Sequence, residues 1–345
     1  WGTPLPVWEC DTCGNTHCIG SFAELQELAG FKADDLYNSA QFNPHRPFVD
    51  EMTWNCACGG VMRRVPHVID CWFDSGSMPF AQHHYPFEHK DDIDSGRQFP
   101  ADFISEAIDQ TRGWFYTLHA IATMVKDSNA YMTCVVLGHI QDEKGRKMSK
   151  SLGNVVDPWN VINHQGADAF RWYFLSSNAP WVNTRYSELA VVSSLQKFLI
   201  PLWNVYSFFT IYANIDDYDP AQPTLPWQER SLLDRWILIK YNQLIKSVTE
   251  NLDAYRVTEA ARAIESFLDI LSNWYVRRSR RRFWQSQKND EKWSAYHTLY
   301  GILCGLSKLI APFTPFISEE LHQKLVRTID PDAPISVHLS DYPMA

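Results

Sequence analysis

The strongest constraint on the fold is the helical spacing of apolar residues in the second part of the chain. From about Ser187 onward, apolar side chains recur every three to four residues, which places them on one face of a helix. Helices of this kind pack their apolar faces against one another, so an α-helical bundle is predicted. The predicted helices span 188–213, 229–252, 257–286, 290–311 and 314–327.

The preceding residues follow two other patterns. Residues 67–186 mix short β-branched runs, such as 132–137, with helical patterns, such as 111–126, and this alternation favours a parallel α/β sheet. Residues 1–66 are rich in cysteine, proline and glycine, with one short helical stretch that Ser21 would cap. We expect this segment to have too few apolar residues for a core of its own. The predicted fold class is thus α/β plus all-α, with domains at 1–66, 67–186 and 187–345.

Four of the eight cysteines form two closely spaced pairs, C-x-x-C and C-x-C. Each pair is followed by glycine, which permits the tight turn that lets both sulfurs face one ion. Four thiolates fill a tetrahedral zinc site with no open position, and such a structural Zn²⁺ would contribute folding energy. Two unrelated pairs of buried thiols are the alternative, and His17 or Cys18 could replace a ligand. The predicted zinc ligands are Cys10, Cys13, Cys56 and Cys58.

Charge and composition limit the possible partners. The net charge is −9, with almost all of the acidic excess in the first 186 residues, so a surface that wraps nucleic acid throughout is excluded. A local basic patch in the second part is the remaining option. We expect no run of about 18 uncharged apolar residues, and hence no membrane role. Scattered cysteines outside the two pairs favour a reducing cytoplasm.

A cationic loop with a glycine hinge follows the apolar run 135–139. Four cationic side chains lie within seven residues, and Gly145 would let the loop close over a ligand. This pattern suits a polyanion such as triphosphate, whereas an ordinary solvated loop could carry the same charge. The cationic residues are Lys144, Arg146, Lys147 and Lys150.

The string 147–151, Lys-Met-Ser-Lys-Ser, is identical to the KMSKS motif of class I aminoacyl-tRNA synthetases. The resemblance implies that an amino-acid carboxylate attacks the α-phosphate of ATP, which is supplied with Mg²⁺, while motif lysines stabilise charge on the departing pyrophosphate. By this resemblance, Lys147 and Lys150 are catalytic. Met148 and Ser149 would also bind ATP, and the α/β segment would be part of a Rossmann-like sheet.

Three further strings, at 1–6, 70–82 and 106–115, resemble the isoleucyl-tRNA synthetases in their eukaryote-like branch. The valyl and leucyl enzymes usually carry other versions of the second string. The third string departs from the family pattern at Ala107, where glycine is usual. The added methyl group could weaken adenylate binding by crowding the backbone there.

The same resemblance assigns a substrate pocket. Trp72 and Trp114 would wall the side chain of isoleucine, because a branched hydrocarbon is best held by rigid apolar faces. The alternative is that both tryptophans are ordinary core residues. The residues that would contact the aminoacyl-adenylate are Glu106, Asp109 and Gln110.

Five arginines fall within six residues of the string 273–284, flanked by aromatic side chains. At about 100° per residue they cannot share one helical face, so some would meet solvent or phosphate and others would pair with acidic neighbours. The string resembles a block in the anticodon-binding domain of isoleucyl and related synthetases, which implies contact with the phosphates of tRNA(Ile). A solvated or salt-bridged helix is the alternative. The predicted tRNA-binding residues are Arg277, Arg278, Arg280, Arg281 and Arg282.

The sequence lacks the His-x-Gly-His motif that class I synthetases also need. By resemblance, that motif, the first half of the sheet and an editing domain would precede residue 1. We therefore interpret the chain as a carboxy-terminal fragment of an isoleucyl-tRNA synthetase that is cytoplasmic, monomeric and inactive alone. Two alternatives stay open: a fragment of a valyl-tRNA synthetase, and a free-standing zinc-containing tRNA-binding module.

Overall fold

The computed structural model describes residues 2–36, 38 and 40–345, except for the side chain of Lys150. Trp1, in one of the resemblance strings, and the side chain of the predicted catalytic Lys150 lie outside this description. The chain divides into two compact units, Trp1–Cys134 and Val135–Ala345.

An antiparallel sheet organises the first part of the first unit. Its strands are β1 (Val7–Cys10), β2 (Thr16–Cys18), β3 (Trp54–Asn55) and β4 (Val61–Arg64), in the spatial order β2-β1-β4-β3. Helix α1 (Phe22–Ala29) follows β2, and Ser21 Oγ accepts a hydrogen bond from the Glu24 N–H at 3.1 Å. The predicted cap and helix are therefore confirmed.

A small hydrophobic core lies between this sheet and α1, which corrects the expectation that residues 1–66 lack one. Trp8 is only 1% exposed, and its indole N–H donates to the Met52 carbonyl at 2.7 Å. Few side chains suffice because the aromatic ones bury large areas, and two core residues come from segments without regular structure. The buried residues are Trp8, Cys10, Ile19, Leu25, Phe42, Val49 and Met62.

The rest of the first unit alternates helices and strands, as predicted. Its elements are α2 (Cys71–Ala81), α3 (Lys90–Asp94), β5 (Ala101–Ala107), α4 (Trp114–Lys126) and β6 (Tyr131–Leu137), whose last residues belong to the second unit. Strands β5 and β6 form a two-stranded sheet. Helices α2 and α4 approach closely at Gly76, where a Cβ atom would stand 2.8 Å from the Thr117 backbone. Only glycine permits this contact.

The second unit is mainly helical. A short parallel pair, β7 (Ile140–Gln141) and β8 (Thr184–Arg185), accompanies the helices α5 (Pro158–Gln165), α6 (Ala167–Ser177), α7 (Glu188–Ser194), α8 (Ile200–Asp216), α9 (Leu232–Asp253), α10 (Val257–Asp269), α11 (Arg277–Trp284), α12 (Asp290–Leu309) and α13 (Pro315–His322). Wider π-type turns at Leu195–Leu199 and Ile270–Val276 join α7 to α8 and α10 to α11. The five predicted helical stretches are confirmed, with ends that differ by a few residues.

One hydrophobic core runs through α6 and the later helices. Trp172 of α6 is fully buried, stacks on Phe198 with ring centroids 3.6 Å apart, and meets Phe313 edge-on at 6.0 Å. Two polar side chains of α6 reinforce this packing. Asp168 accepts the Ile317 N–H at the start of α13 at 2.7 Å, and Arg171 donates to the Phe313 carbonyl at 3.0 Å. Helix α6 is therefore part of the bundle's packing.

Two buried ion pairs cross the bundle. Arg282 of α11 binds Asp234 of α9 through two hydrogen bonds of 2.7 and 2.6 Å, and Asp234 is fully buried. Burial raises the pKa of this carboxyl group, but the hydrogen bonds and charge of Arg282, together with hydrogen bonds from Tyr275 and Ser294, leave the pKa below its ordinary value. In the second pair, Lys292 of α12 lies 2.6 Å from Asp216 of α8.

The helical stretch Glu188–Asp216 is long and apolar enough to cross a membrane, judged by length and composition alone. Residues 198–215 of this stretch carry no charged side chain, but they include polar residues such as Asn204 and Asn214. Phe198, Leu202 and Phe209 of this stretch are buried in the core of the bundle. Packing against the other helices therefore accounts for these three apolar residues.

Replacing Arg282 with alanine would leave the Asp234 carboxylate buried without its partner. Breaking a buried pair in this way costs about 3–5 kcal/mol, so the free energy of unfolding should fall by that amount in urea titrations at neutral pH. Arg280→Ala, which removes an exposed guanidinium two residues away, is the matched control and should change the free energy by less than about 0.5 kcal/mol.

The stability difference between wild type and Arg282→Ala should depend on pH, because the Asp234 carboxyl group of this ion pair can be protonated. Because the pKa of Asp234 is lowered in the folded state, the stabilisation is complete above the unfolded pKa of about 3.9 and is lost as the pH falls through the folded pKa. The difference between wild type and Arg282→Ala should shrink in that range. Equal stability of the two proteins at neutral pH would contradict the pairing.

Candidate functional site

Four cysteine sulfurs meet at one end of the β1–β4 sheet. The Sγ atoms of Cys10 and Cys58 are 3.5 Å apart, those of Cys13 and Cys56 are 3.8 Å apart, and all four lie within 4.8 Å of one another. A tetrahedral Zn²⁺ with Zn–S bonds of about 2.3 Å requires S···S separations of about 3.8 Å. The four thiols thus have the spacing and the chemistry to hold a zinc ion.

Backbone geometry around the sulfurs explains the glycines. Gly14 and Gly59, each directly after a cysteine pair, have φ of 69° and 89°, which turns the chain back toward the cluster. Gly60 is needed for space, because a Cβ atom there would come within 2.8 Å of the Cys10 sulfur. Backbone N–H groups of Cys13 and Thr12 lower the pKa of the Cys10 thiol to about 7, which favours a thiolate.

The two possible substitutes lie outside this four-sulfur group. His17 Nε2 is 2.8 Å from Glu24 Oε1, and Cys18 is exposed on β2. Within the described part of the chain, the one group of three or more possible metal ligands comprises Cys10, Cys13, Cys56 and Cys58. The four predicted ligands are therefore brought together, and neither His17 nor Cys18 belongs to this group.

The two predicted pocket tryptophans lie on neighbouring helices of the first unit. Trp72, in the first turn of α2, is 42% exposed, and its ring covers Gly113, where a Cβ atom would stand 3.1 Å from the ring. Trp114 begins α4 and donates its indole N–H to the Ser75 carbonyl at 3.1 Å. Trp72 has too much exposed surface for an ordinary core residue, whereas Trp114 is half-buried.

Of the three predicted adenylate contacts, Glu106 lies near the end of β5, and Asp109 and Gln110 follow the strand. Glu106 and Asp109 are exposed, whereas the Gln110 side-chain oxygen accepts the Trp114 N–H at 3.0 Å. Gln110 thus binds the N-terminus of α4, an interaction that the sequence did not reveal. Ala107 has a φ of −70°, a backbone conformation that any L-residue adopts without strain.

The cationic loop of the second unit has a defined shape. Lys147 is exposed, and Met148 is partly buried against the core that runs into the bundle. The Ser149 N–H donates to the Asn154 side chain at 2.9 Å. Hydrogen bonds from Asn154 and from the backbone of Arg146 lower the pKa of Asp142 to about 2. Neither Asp142 nor Asn154 is cationic or part of the five-residue motif, so sequence reasoning missed both.

The five arginines of the cluster divide into two groups. Four side chains are exposed, and Arg278 stacks over the exposed Trp274 ring at 4.4 Å. Arg282 instead points into the bundle, where it binds Asp234 and is 11% exposed. The prediction that Arg282 contacts tRNA is corrected on this ground, because its guanidinium is already paired. The exposed members are Arg277, Arg278, Arg280 and Arg281.

Two protein-family models match this sequence. Residues 1–184 match the model of tRNA synthetases class I (I, L, M and V), and residues 234–345 match the anticodon-binding domain of tRNA ligase. The chain is 53% identical over 344 residues to the isoleucine–tRNA ligase of Clostridium novyi and 50% identical over 346 residues to that of Thermus thermophilus. The matches span 99–100% of this chain but only 32% of each relative, so the chain corresponds to about a third of their length.

Solved structures agree on the fold. The Agrobacterium radiobacter LeuRS in a ternary complex with tRNA and LeuAMS superposes with a TM-score of 0.71 at 24% identity, over 100% of this chain and 41% of that one. The Mycobacterium tuberculosis methionyl-tRNA synthetase in complex with methionyl-adenylate gives 0.61 at 20% identity, over 84% and 59%.

Proposed function

Because this chain belongs to the class I tRNA synthetases, we propose that it forms part of an enzyme that activates isoleucine with ATP and transfers it to tRNA(Ile). The observation that carries the proposal is the identity of about one half, across the full chain, to isoleucine–tRNA ligases of different bacteria. No comparable observation favours the valyl enzyme or a free-standing tRNA-binding module. The affiliation with a eukaryote-like branch stays a prediction.

In the proposed reaction the isoleucine carboxylate attacks the α-phosphate of Mg²⁺-bound ATP, and pyrophosphate leaves. The exposed Lys147 side chain would neutralise charge that develops on the leaving group, with Lys150 as its predicted partner. Met148 and Ser149 would contact ATP through the same loop. The protein's contribution is positioning and electrostatics, because phosphoryl chemistry needs little covalent work from side chains.

For the amino acid, we propose that Trp72 and Trp114 provide apolar walls. An exposed Trp72 ring next to a half-buried Trp114 leaves aromatic surface for a branched aliphatic side chain. Glu106 and Asp109, both exposed at the end of β5, would accept hydrogen bonds from ribose hydroxyls or the substrate ammonium. Gln110 would act in part through its contact with the start of α4.

For the cysteine cluster, we propose a structural Zn²⁺ bound by four thiolates. The spacing of the four sulfurs supports this assignment. A closed tetrahedral site leaves no position for substrate, so the ion would stabilise the β1–β4 sheet rather than take part in catalysis. The complete enzyme is proposed to be cytoplasmic and monomeric.

In the complete synthetase polypeptide, Lys147→Ala should lower isoleucine-dependent ATP–pyrophosphate exchange by about 100- to 1,000-fold, since one charge-stabilising donor is removed. Lys246→Ala, an exposed lysine on α9 outside the cationic loop, is the control and should remain within about threefold of wild type. Exchange that depends on valine in preference to isoleucine would reject the proposed substrate. The isolated 345-residue chain should show no exchange.

Elemental analysis of the purified protein should find about one zinc ion per chain. Cys58→Ser should lose most of that zinc and unfold at a lower temperature, because the ion contributes folding energy. Cys18→Ser, an exposed thiol outside the cluster, should keep both zinc and stability. Wild-type protein without stoichiometric metal would reject the zinc assignment.

For tRNA, we propose that the exposed arginines of α11 contact backbone phosphates. Arg278→Ala should weaken binding of tRNA(Ile) and reduce the slope of log affinity against log salt by about 1, as expected for one lost phosphate contact. Lys246→Ala, an exposed cation on α9 paired with Glu250, is the control and should leave the slope unchanged. An unchanged slope for Arg278→Ala would exclude this arginine from the interface.

A further inference from the structure

The side chain of Asn154 bridges two parts of the cationic loop. Its oxygen accepts the Ser149 N–H at 2.9 Å, while its amide nitrogen donates to Asp142 Oδ2 at 3.0 Å and to the Lys147 carbonyl at 3.2 Å. The amide therefore uses its acceptor and two donors at once. Asn154 thus connects Asp142 to the backbone of Lys147 and Ser149, on either side of Met148.

Asp142 organises the other side of the loop. Its Oδ1 atom accepts the N–H groups of Lys144 and Arg146 at 3.0 and 2.8 Å, and its Oδ2 atom accepts the Arg146 guanidinium at 2.8 Å. Its backbone closes the turn through the Gly145 N–H, at 2.9 Å. Gly145 has a φ of 77°, which suits glycine at that position.

These contacts distinguish Arg146 from Lys147 within the cationic loop. Arg146 is paired with Asp142 at the base of the loop, so its charge is partly compensated before any anion binds. The Lys147 side chain is exposed, while its carbonyl is held by Asn154. Neither Asp142 nor Asn154 has to touch the ligand to affect the reaction, because both act on the backbone that carries the lysine.

We propose that Asp142 and Asn154 form a clamp, the Asp142–Asn154 clamp, which positions the lysine-bearing loop for the triphosphate of ATP. The inference rests on the proposed function for its reaction, but its structural part concerns the loop alone. Ordering the backbone in advance lowers the entropy that must be lost when the ligand binds, and it keeps Lys147 near the geometry that the reaction needs. Both members are positioning residues.

Three variants of the complete synthetase polypeptide test the clamp. Asn154→Asp replaces the amide donors with a second carboxylate opposite Asp142 and should open the clamp by repulsion. The double variant Asp142→Asn/Asn154→Asp again allows an amide to donate to a carboxylate across the same gap, but it does not restore the hydrogen bond to the Lys147 carbonyl or the ion pair with Arg146. Asn160→Asp makes the same chemical change at an exposed position on α5 and is the matched control.

Two readouts separate the clamp from the proposed reaction. In isoleucine-dependent exchange, Asn154→Asp should lower kcat by about 10- to 100-fold with the KM for isoleucine within about twofold, because a displacement of about 1 Å costs about 100-fold. In limited trypsin digestion mapped by mass spectrometry, bonds after Lys144 and Lys147 should be cut about tenfold faster than in wild type. The exchanged double variant should recover only part of both effects, and Asn160→Asp should match wild type.

The outcomes are distinct. Wild-type cleavage and kcat for Asn154→Asp would overturn the clamp. A kcat loss that merely follows the fraction of unfolded protein, measured by urea titration, would also overturn it. Absence of isoleucine-dependent exchange in wild type would reject the proposed function, and the trypsin comparison would still decide whether the clamp exists.

Discussion

The packing of Trp172 between helices is the interaction on which the second unit depends. Its ring stacks on Phe198 and meets Phe313, so α6 shares one core with helices more than a hundred residues further along the chain. Asp168 accepts the Ile317 N–H and Arg171 donates to the Phe313 carbonyl, in the segment between the end of α12 and the first turn of α13. Partly buried Met148 packs against the same core, which ties the cationic loop to a rigid base. The core is therefore continuous across residue 186, where sequence composition changes.

Charge has a different role inside and outside this core. Asp234 and Arg282 are held together in the bundle, where an isolated charge would be costly, and neither is free for a ligand. The exposed arginines of the same helix keep their charge at the surface, beside the Trp274 ring. One run of five arginines thus supplies both an internal structural contact and an external basic surface, because successive helical residues point in different directions.

The first unit brings a small core and the four-cysteine cluster together in a short segment. A core around Trp8 packs the sheet against α1, and the four sulfurs lie at the sheet end where the two turns meet. Cys10 belongs to both, since it is buried in the core and is also one of the four clustered thiols. The proposed zinc ion would therefore contact a residue of the core as well as the turns.

The sequence by itself determined the helices, the cysteine quartet and the motif-bearing loop, because these follow from spacing along the chain: periodic apolar residues, paired cysteines with glycine, and an identical five-residue string. Tertiary structure alone decided which arginine is buried, whether residues 1–66 have a core, and what holds the loop. These depend on contacts between distant residues, such as Asp234 with Arg282, or on side-chain direction, as in Asn154. No local pattern encodes such pairings, since one residue type serves equally well in solvent or in a buried network.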